Sequence, residues 1–155
     1  MKLSRSLLLA GAALGCAGAA LAHHSFAQFD STRQILVEGQ VTNWSYASPH
    51  SWLYIDAPNE KGEMQKWSFE GAAPIHATRQ GVTGNTYRKG EKVRVIMSPL
   101  RDGRPAGALC FVVKEDGTIT QPNDGTCNAA QVIERWKTNG WLESGKHLDG
   151  HPVAD

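Results

Sequence analysis

Residues 35–70 read ILVEGQVTNWSYASPHSWLYIDAPNEKGEMQKWSFE, and this stretch predicts three strands joined by two turns. Its first eight residues alternate with a period of two, which is typical of a strand with one buried face. After Asn43 the large side chains change parity, which indicates a β-bulge. Pro49 has no N–H to donate and holds the preceding residue extended, so we expect the first reversal at residues 48–50.

The remaining strands follow from the same periodicity. Residues 52–55 and 65–69 complete the first three strands, and residues 92–97 alternate as a fourth. Residues 108–113 are continuously apolar, as in a strand buried on both faces. With a short helix beginning at Pro74, this order predicts a mainly β fold, a five-stranded OB-like barrel with one short helix between strands 3 and 4. A small β-sandwich is the alternative.

The first 22 residues have the pattern of a signal peptide. Lys2 and Arg5 precede an apolar core too short to span a bilayer, and residues 20–22 form a small-x-small cleavage site. The residues before Cys16 match a lipoprotein box poorly, which argues against lipidation. We therefore expect a periplasmic or secreted bacterial protein whose mature chain begins at His23.

The mature chain is expected to contain one barrel domain, residues 23–120, and a C-terminal extension, residues 121–155, with a short helix and a loose tail. Of 16 Lys+Arg, two lie in the signal, so with 15 Asp+Glu the mature formal charge is −1. This near-neutral charge argues against a sequence-independent nucleic-acid binder. A second apolar run near the ~20 residues of a membrane helix does not occur in the sequence.

Cys110 and Cys127 are the two cysteines of the mature chain. An even pair in an exported chain usually forms a disulfide, which here would be worth ~3 kcal/mol on the chain-entropy model. Two unrelated buried thiols, or a metal-binding pair, are the alternatives.

Four short motifs together resemble a known family. AHHSF (22–26), GQVT (39–42), PHSW (49–52) and WSFE (67–70) occur in this order in DUF6152, a family of exported bacterial proteins without an established activity. The resemblance covers about residues 22–120. It implies an exported protein, and the strand pattern is similar to that of small periplasmic barrel proteins of the OB class.

Three histidines predict a metal site. A mature chain beginning at His23 offers its α-amine and a ring nitrogen, and His24 or His50 would add a third nitrogen, which suits Cu(II). This arrangement is similar to the histidine brace of copper monooxygenases and some periplasmic copper carriers. The alternative is structural: a solvated amino terminus, with His50 bonded to a backbone carbonyl in its turn.

A second candidate surface is aromatic. Trp44, Tyr46, Trp52 and Trp67 could dock a peptide, glycan or partner protein, and the odd parity of Trp44 and Tyr46 indicates that some of these rings face outward. The alternative is that they fill the barrel, as their β propensity favours.

Catalytic motifs are missing from the sequence. There is no Gly-x-Ser-x-Gly elbow, phosphate loop or Cys-x-x-Cys pair, and Glu70 is interpreted as a cap for the following helix. We therefore predict a non-enzymatic periplasmic protein that carries or stores a copper-class ion, or alternatively an interaction module. A hydrolase is the third reading.

Overall fold

The structure, a computed structural model, describes residues 26–59, 61–144 and 151–152. The strands in these residues are β1 Arg33–Ser45, β2 Trp52–Pro58, β3 Met64–Glu70, β4 Lys92–Pro99, β5 Ala106–Lys114, β6 Ile119–Thr120 and β7 His151–Pro152. The helices are α1 Pro74–Arg79, α2 Ala129–Thr138 and α3 Trp141–Ser144, with a 3-10 helix at Phe26–Gln28. The mainly β fold is as predicted, but the helix placement differs, because the C-terminal extension contains two helices where one was expected.

The pairings of the first five strands form a ring. β1 pairs with β2 and β4, β2 pairs with β3, and β5 pairs with β3 and β4. These pairings are antiparallel except for the parallel pair of β3 and β5. β6 adds to β5, and β7 adds to β1. Each of the first five strands therefore has a hydrogen-bonded neighbour on both sides. Such pairing protects a strand's edge from pairing with another chain.

A β-bulge in β1 decides which way its aromatic residues face. The register with β2 shifts between Val41 and Asn43, as the change of parity predicted. The extra residue restores the inward direction, so Trp44 and Tyr46 pack against the same core as Val41. The bulge therefore accounts for the odd parity of Trp44 and Tyr46, which are partly buried against the inner core; the expectation that some of the aromatic rings face outward does not apply to these two.

The sheet carries apolar residues on both faces. Its inner face holds the larger core, which includes Leu53, Ile55, Phe69 and Leu109. On the outer face, a second core joins Phe111 of β5 to Trp136 and other apolar residues of α2. β5 is consequently buried on both faces along residues 107–113, as its apolar run predicted. Among the described residues, no helix is long and apolar enough to cross a membrane.

The connections that frame the candidate site lie at one end of the sheet. The reversal between β1 and β2 contains a cis Ser48–Pro49 peptide bond. Pro74 is in the first turn of α1, and the chain leaves that helix through Gly81, whose φ of 76° only glycine adopts readily. Both elements match the sequence-based expectation.

Candidate metal centre

His50 and Glu70 meet where β2 begins and β3 ends. The antiparallel register of these strands places Trp52 opposite Glu70, which brings the turn residue His50 close to the end of β3. Nδ1 of His50 is 3.3 Å from Oε1 of Glu70 and 3.3 Å from the carbonyl oxygen of Gly71. The His50 side chain is 30% exposed and that of Glu70 only 7%. A histidine near the surface therefore contacts a nearly buried carboxylate.

Asp124 is the third member of the group and comes from the segment between β6 and α2. Its Oδ2 lies 4.0 Å from Nδ1 of His50, and its side chain is 10% exposed. The Ala72 N–H donates a 2.8 Å hydrogen bond to the Pro122 carbonyl, which holds this segment against the end of β3. Asp124 therefore lies near the end of β3 in space although the two are far apart along the chain.

A disulfide between Cys110 and Cys127 ties the same segment to β5. The two Cα atoms are 5.5 Å apart, within the range that disulfide geometry requires. Cys110 is fully buried, and Cys127 packs against the second core. Because Cys127 follows Asp124 by three residues, the bond restrains the part of the loop that carries the carboxylate.

The three side chains have the composition and spacing of a metal site. One potential ligand atom from each of His50, Glu70 and Asp124 lies within 4.8 Å of the other two. An ion bound tetrahedrally at ~2.0–2.2 Å holds its ligand atoms roughly 3.3–3.6 Å apart, so the widest separation in the group would shorten by about 1 Å around an ion. Within the part of the chain that the structure describes, Oδ2 of Asp124 is buried without a hydrogen-bond partner. A buried carboxylate oxygen in that state is costly, and a cation would satisfy it.

The electrostatics of Glu70 follow from this crowding. Burial raises the pKa of Glu70 above its usual 4.5, the nearby charge of His50 lowers it, and Asp124 raises it further. Two carboxyl groups and one imidazole therefore lie together in a small space. A divalent cation would compensate the charge of carboxylates in such a group.

Asp124 also lines a cavity of about 300 Å³. Phe26 and Phe29 form its apolar wall, and Ser98 and Thr126 contribute hydroxyl groups. The hydroxyl oxygens of Ser98 and Thr126 are buried without a hydrogen-bond partner. Asp124 therefore belongs both to the group with His50 and Glu70 and to the lining of a cavity that includes Phe26.

The predicted trio of His23, His24 and His50 is only partly located. His50 belongs to the group with Glu70 and Asp124. His23 and His24 lie outside the described residues, so the nitrogen-rich site that they would form with His50 stays a prediction. The structural alternative for His50 also has a basis, since its Nδ1 lies within 3.3 Å of a backbone carbonyl.

The four predicted docking aromatics do not share one surface. Trp44, Tyr46 and Trp67 are partly buried against the inner core. Trp44 Nε1 donates to the Thr83 carbonyl, at 2.9 Å, and so serves to attach a loop. Trp52 lies on the outer face, where its ring stacks on that of Tyr54 with centroids 6.4 Å apart. The outer aromatic surface is therefore this pair rather than the predicted set.

Two members of the group were missed as ligands from the sequence. Glu70 was interpreted as a helix cap, but α1 begins without a side-chain cap hydrogen bond, and the carboxylate faces His50 instead. The pairing of the second and third predicted strands would have placed it beside the turn. Asp124 lay in a segment predicted to be a loop. Its position close to Cys127, which was predicted to form a disulfide with Cys110 of the fifth strand, could have indicated that it lies near the sheet.

Comparison with known proteins gives a family but no activity. Residues 12–109 match the model of the family of unknown function DUF6152, which covers more than half of the chain, so the protein belongs to that family. A search of curated proteins and a search of solved structures each found no match. His50 and Glu70 lie within the matched residues, whereas Asp124 lies beyond them.

Proposed function

We propose that this member of the DUF6152 family binds a divalent transition-metal ion through His50, Glu70 and Asp124. The observation that supports the proposal is the convergence of three ligand atoms within 4.8 Å, one of them a buried carboxylate oxygen without a partner. An ion at this position would compensate the two carboxylates and coordinate Asp124 Oδ2, which has no hydrogen-bond partner among the described residues.

The donor set limits the kind of ion. One imidazole nitrogen with two carboxylate oxygens suits Zn²⁺ and Cu²⁺, whereas Mg²⁺ and Ca²⁺ prefer more oxygen ligands and no imidazole. Further nitrogen ligands from the amino terminus would favour copper. We therefore propose a copper-class ion as the occupant.

His23 and His24 are the proposed source of those nitrogens. His24 precedes Phe26 by two residues, and two residues span up to ~7 Å. Phe26 and Asp124 line the same cavity, which supports His23 and His24 as the proposed further ligands. A chain cleaved after Ala22 would present the α-amine of His23 together with its ring.

Two further features belong to the proposal. The ring of strand pairings, with a parallel β3–β5 pair and α1 between β3 and β4, supports an OB-like barrel. The disulfide and the signal-like amino terminus support export to the periplasm. We propose carriage or storage of the ion rather than a reaction.

The experiment is a titration of the mature protein, residues 23–155, with Zn²⁺ and Cu²⁺ against a chromophoric chelator. We expect submicromolar 1:1 binding that weakens at least tenfold, ~1.4 kcal/mol, in each of His50→Ala, Glu70→Gln and Asp124→Asn. His76→Ala, at an exposed position on α1, is the matched control. Weak binding, or binding that the three ligand variants leave intact, would reject the site.

The amino-terminal ligands have their own test. Intact mass must first show that the exported chain begins at His23. We then expect His23→Ala to weaken Cu²⁺ binding at least tenfold and to change Zn²⁺ binding much less. Equal Cu²⁺ affinity in the variant would leave the ion with the three ligands from the sheet and loop alone.

A further inference from the structure

The position of the Cys110–Cys127 disulfide links the candidate metal centre to the redox state of the chain. His50 and Glu70 are fixed by the sheet, through the register of β2 with β3. Asp124 belongs to the loop before α2, three residues before Cys127. The carboxylate is therefore on a separate element that has to be held against the sheet.

The contacts that anchor this loop differ before and after Asp124. Upstream, the Pro122 carbonyl accepts from the Ala72 N–H at 2.8 Å, and the Asn123 carbonyl accepts from Gln80 Nε2 at 3.0 Å. Downstream, the disulfide joins Cys127 to the fully buried Cys110. Without the covalent bond, the downstream side is held by the packing of α2.

The packing of α2 does not depend on the disulfide alone. Val132, Ile133 and Trp136 are buried in the second core together with Phe111 of β5. Loss of the bond would therefore release the loop at 124–128 before it unfolds the sheet. A metal ligand tolerates displacements of only a few tenths of an ångström from ~2.0–2.2 Å, so a released loop no longer supplies the third ligand.

We infer that oxidation of Cys110 and Cys127 gates metal binding at the group of His50, Glu70 and Asp124. The inference rests on the proposed metal site and adds its regulation: the dithiol chain offers two ligands from the sheet, and the disulfide chain offers three. A disulfide oxidant, such as oxidised glutathione or a protein disulfide, takes two electrons and two protons from the two thiols. The products are the intramolecular disulfide and two thiols of the oxidant. Metal loading then follows oxidative folding and is confined to an oxidising compartment.

The test compares the oxidised mature protein with the double variant Cys110→Ala/Cys127→Ala, titrated with Zn²⁺ after treatment with a chelator. Alanine variants are used instead of a reductant because free thiolates would themselves bind Zn²⁺. We expect the double variant to bind Zn²⁺ at least tenfold more weakly while its circular dichroism spectrum stays that of a folded β protein. Val113→Ala removes methyl groups from the same second core and keeps the disulfide, so it should preserve the Zn²⁺ affinity.

A mutant cycle separates this gating from general destabilisation. In the oxidised protein, Asp124→Asn should cost at least tenfold in Zn²⁺ affinity, whereas in the alanine background it should cost less than twofold. His50→Ala should weaken binding in both backgrounds. An equal cost of Asp124→Asn in the two backgrounds, or an equal loss in Val113→Ala, would overturn the inference and leave the metal site in place. A lack of any Asp124 effect in the oxidised protein would overturn the proposed site as well.

Discussion

Replacing Gly71 with alanine would test the geometry of the candidate centre without removing a ligand. Gly71 follows Glu70 directly and lies against the segment that carries Asp124. A Cβ atom at Gly71 would lie 2.7 Å from the Pro122 carbonyl oxygen and 2.8 Å from Ser51 Oγ, whereas ordinary contacts begin at 3.4 Å. The φ angle of Gly71 is not positive, so the effect of alanine would come from these two contacts, and from a 3.1 Å approach to Leu109 Cδ1, rather than from backbone strain.

The cost can be worked out from what must move. Displacing Pro122 stretches its 2.8 Å hydrogen bond from Ala72, and rotating Ser51 gives up a 2.7 Å hydrogen bond to the Ala72 carbonyl. Overpacking of this kind costs about 1–3 kcal/mol, and one lost hydrogen bond costs about 1 kcal/mol. We therefore expect the free energy of unfolding to fall by roughly 2–4 kcal/mol and Tm by on the order of 10 °C.

The same displacement should also reach the metal site. Pro122 precedes Asp124 by two residues, so we expect Gly71→Ala to weaken Zn²⁺ binding about tenfold or more in a chelator competition. Gly84→Ala is the matched control, because its Cβ would meet Tyr46 only at ordinary distances of 3.6–3.9 Å; its stability should change by less than about 0.5 kcal/mol. If Gly71→Ala matches the wild type in thermal unfolding and in Zn²⁺ affinity, the loop does not pack on Gly71 as described.

Three other changes have expected outcomes. Burial raises the pKa of Glu70, so the stability that its protonated form contributes is present below pH 4.5 and is lost as pH rises through the pKa of the folded state. We therefore expect Glu70→Gln to stabilise the metal-free protein more at pH 7 than at pH 4. Urea unfolding at both pH values checks this, and a gain confined to pH 4 would contradict it. Tyr46→Phe removes a hydroxyl that lies 2.9 Å from the carbonyl oxygens of Pro74 and Val82. Urea unfolding should show a loss of stability of about 1 kcal/mol, with unchanged Zn²⁺ affinity. An unchanged stability would mean that water replaces the hydroxyl without cost. Trp136→Ala empties a fully buried position in the second core. The free energy of unfolding, measured by thermal unfolding, should fall by about 3–5 kcal/mol. A loss under 1 kcal/mol would show that α2 adds little to the stability of the sheet.

The strands and the short helix were predictable because their signals are local. The alternation in β1, the apolar run of β5 and the Pro74–Gly81 frame of α1 each follow from a few neighbouring residues. The bulge in β1 was also indicated by its parity change. Its consequence was not, because the direction in which Trp44 faces depends on how many residues the bulge inserts, and that number is set by the pairing with β2.

The candidate centre was predictable only in part, because its members are joined by tertiary contacts. His50 stood out by residue type, but Glu70 joins it only through the register that places the end of β3 beside the first reversal. Asp124 lies in a loop that the Cys110–Cys127 bridge, between positions 17 residues apart, ties to β5. The spacing of residues along the chain does not predict a group whose members come from a turn, a strand end and a distant loop.

The group of His50, Glu70 and Asp124 differs in charge from other buried polar atoms of the described residues. Several of those atoms lack a hydrogen-bond partner, among them Ser98 Oγ and Trp67 Nε1, whereas here two carboxylates share one space and Asp124 Oδ2 lacks such a partner. Replacing either carboxylate by its amide should relieve repulsion in the metal-free protein, so the arrangement is not explained by stability alone. Sequences tend to retain such conflicts where a site requires them. Under the proposed function, a divalent cation between the two carboxylates and the imidazole nitrogen, which lie within 4.8 Å of one another, would relieve this conflict.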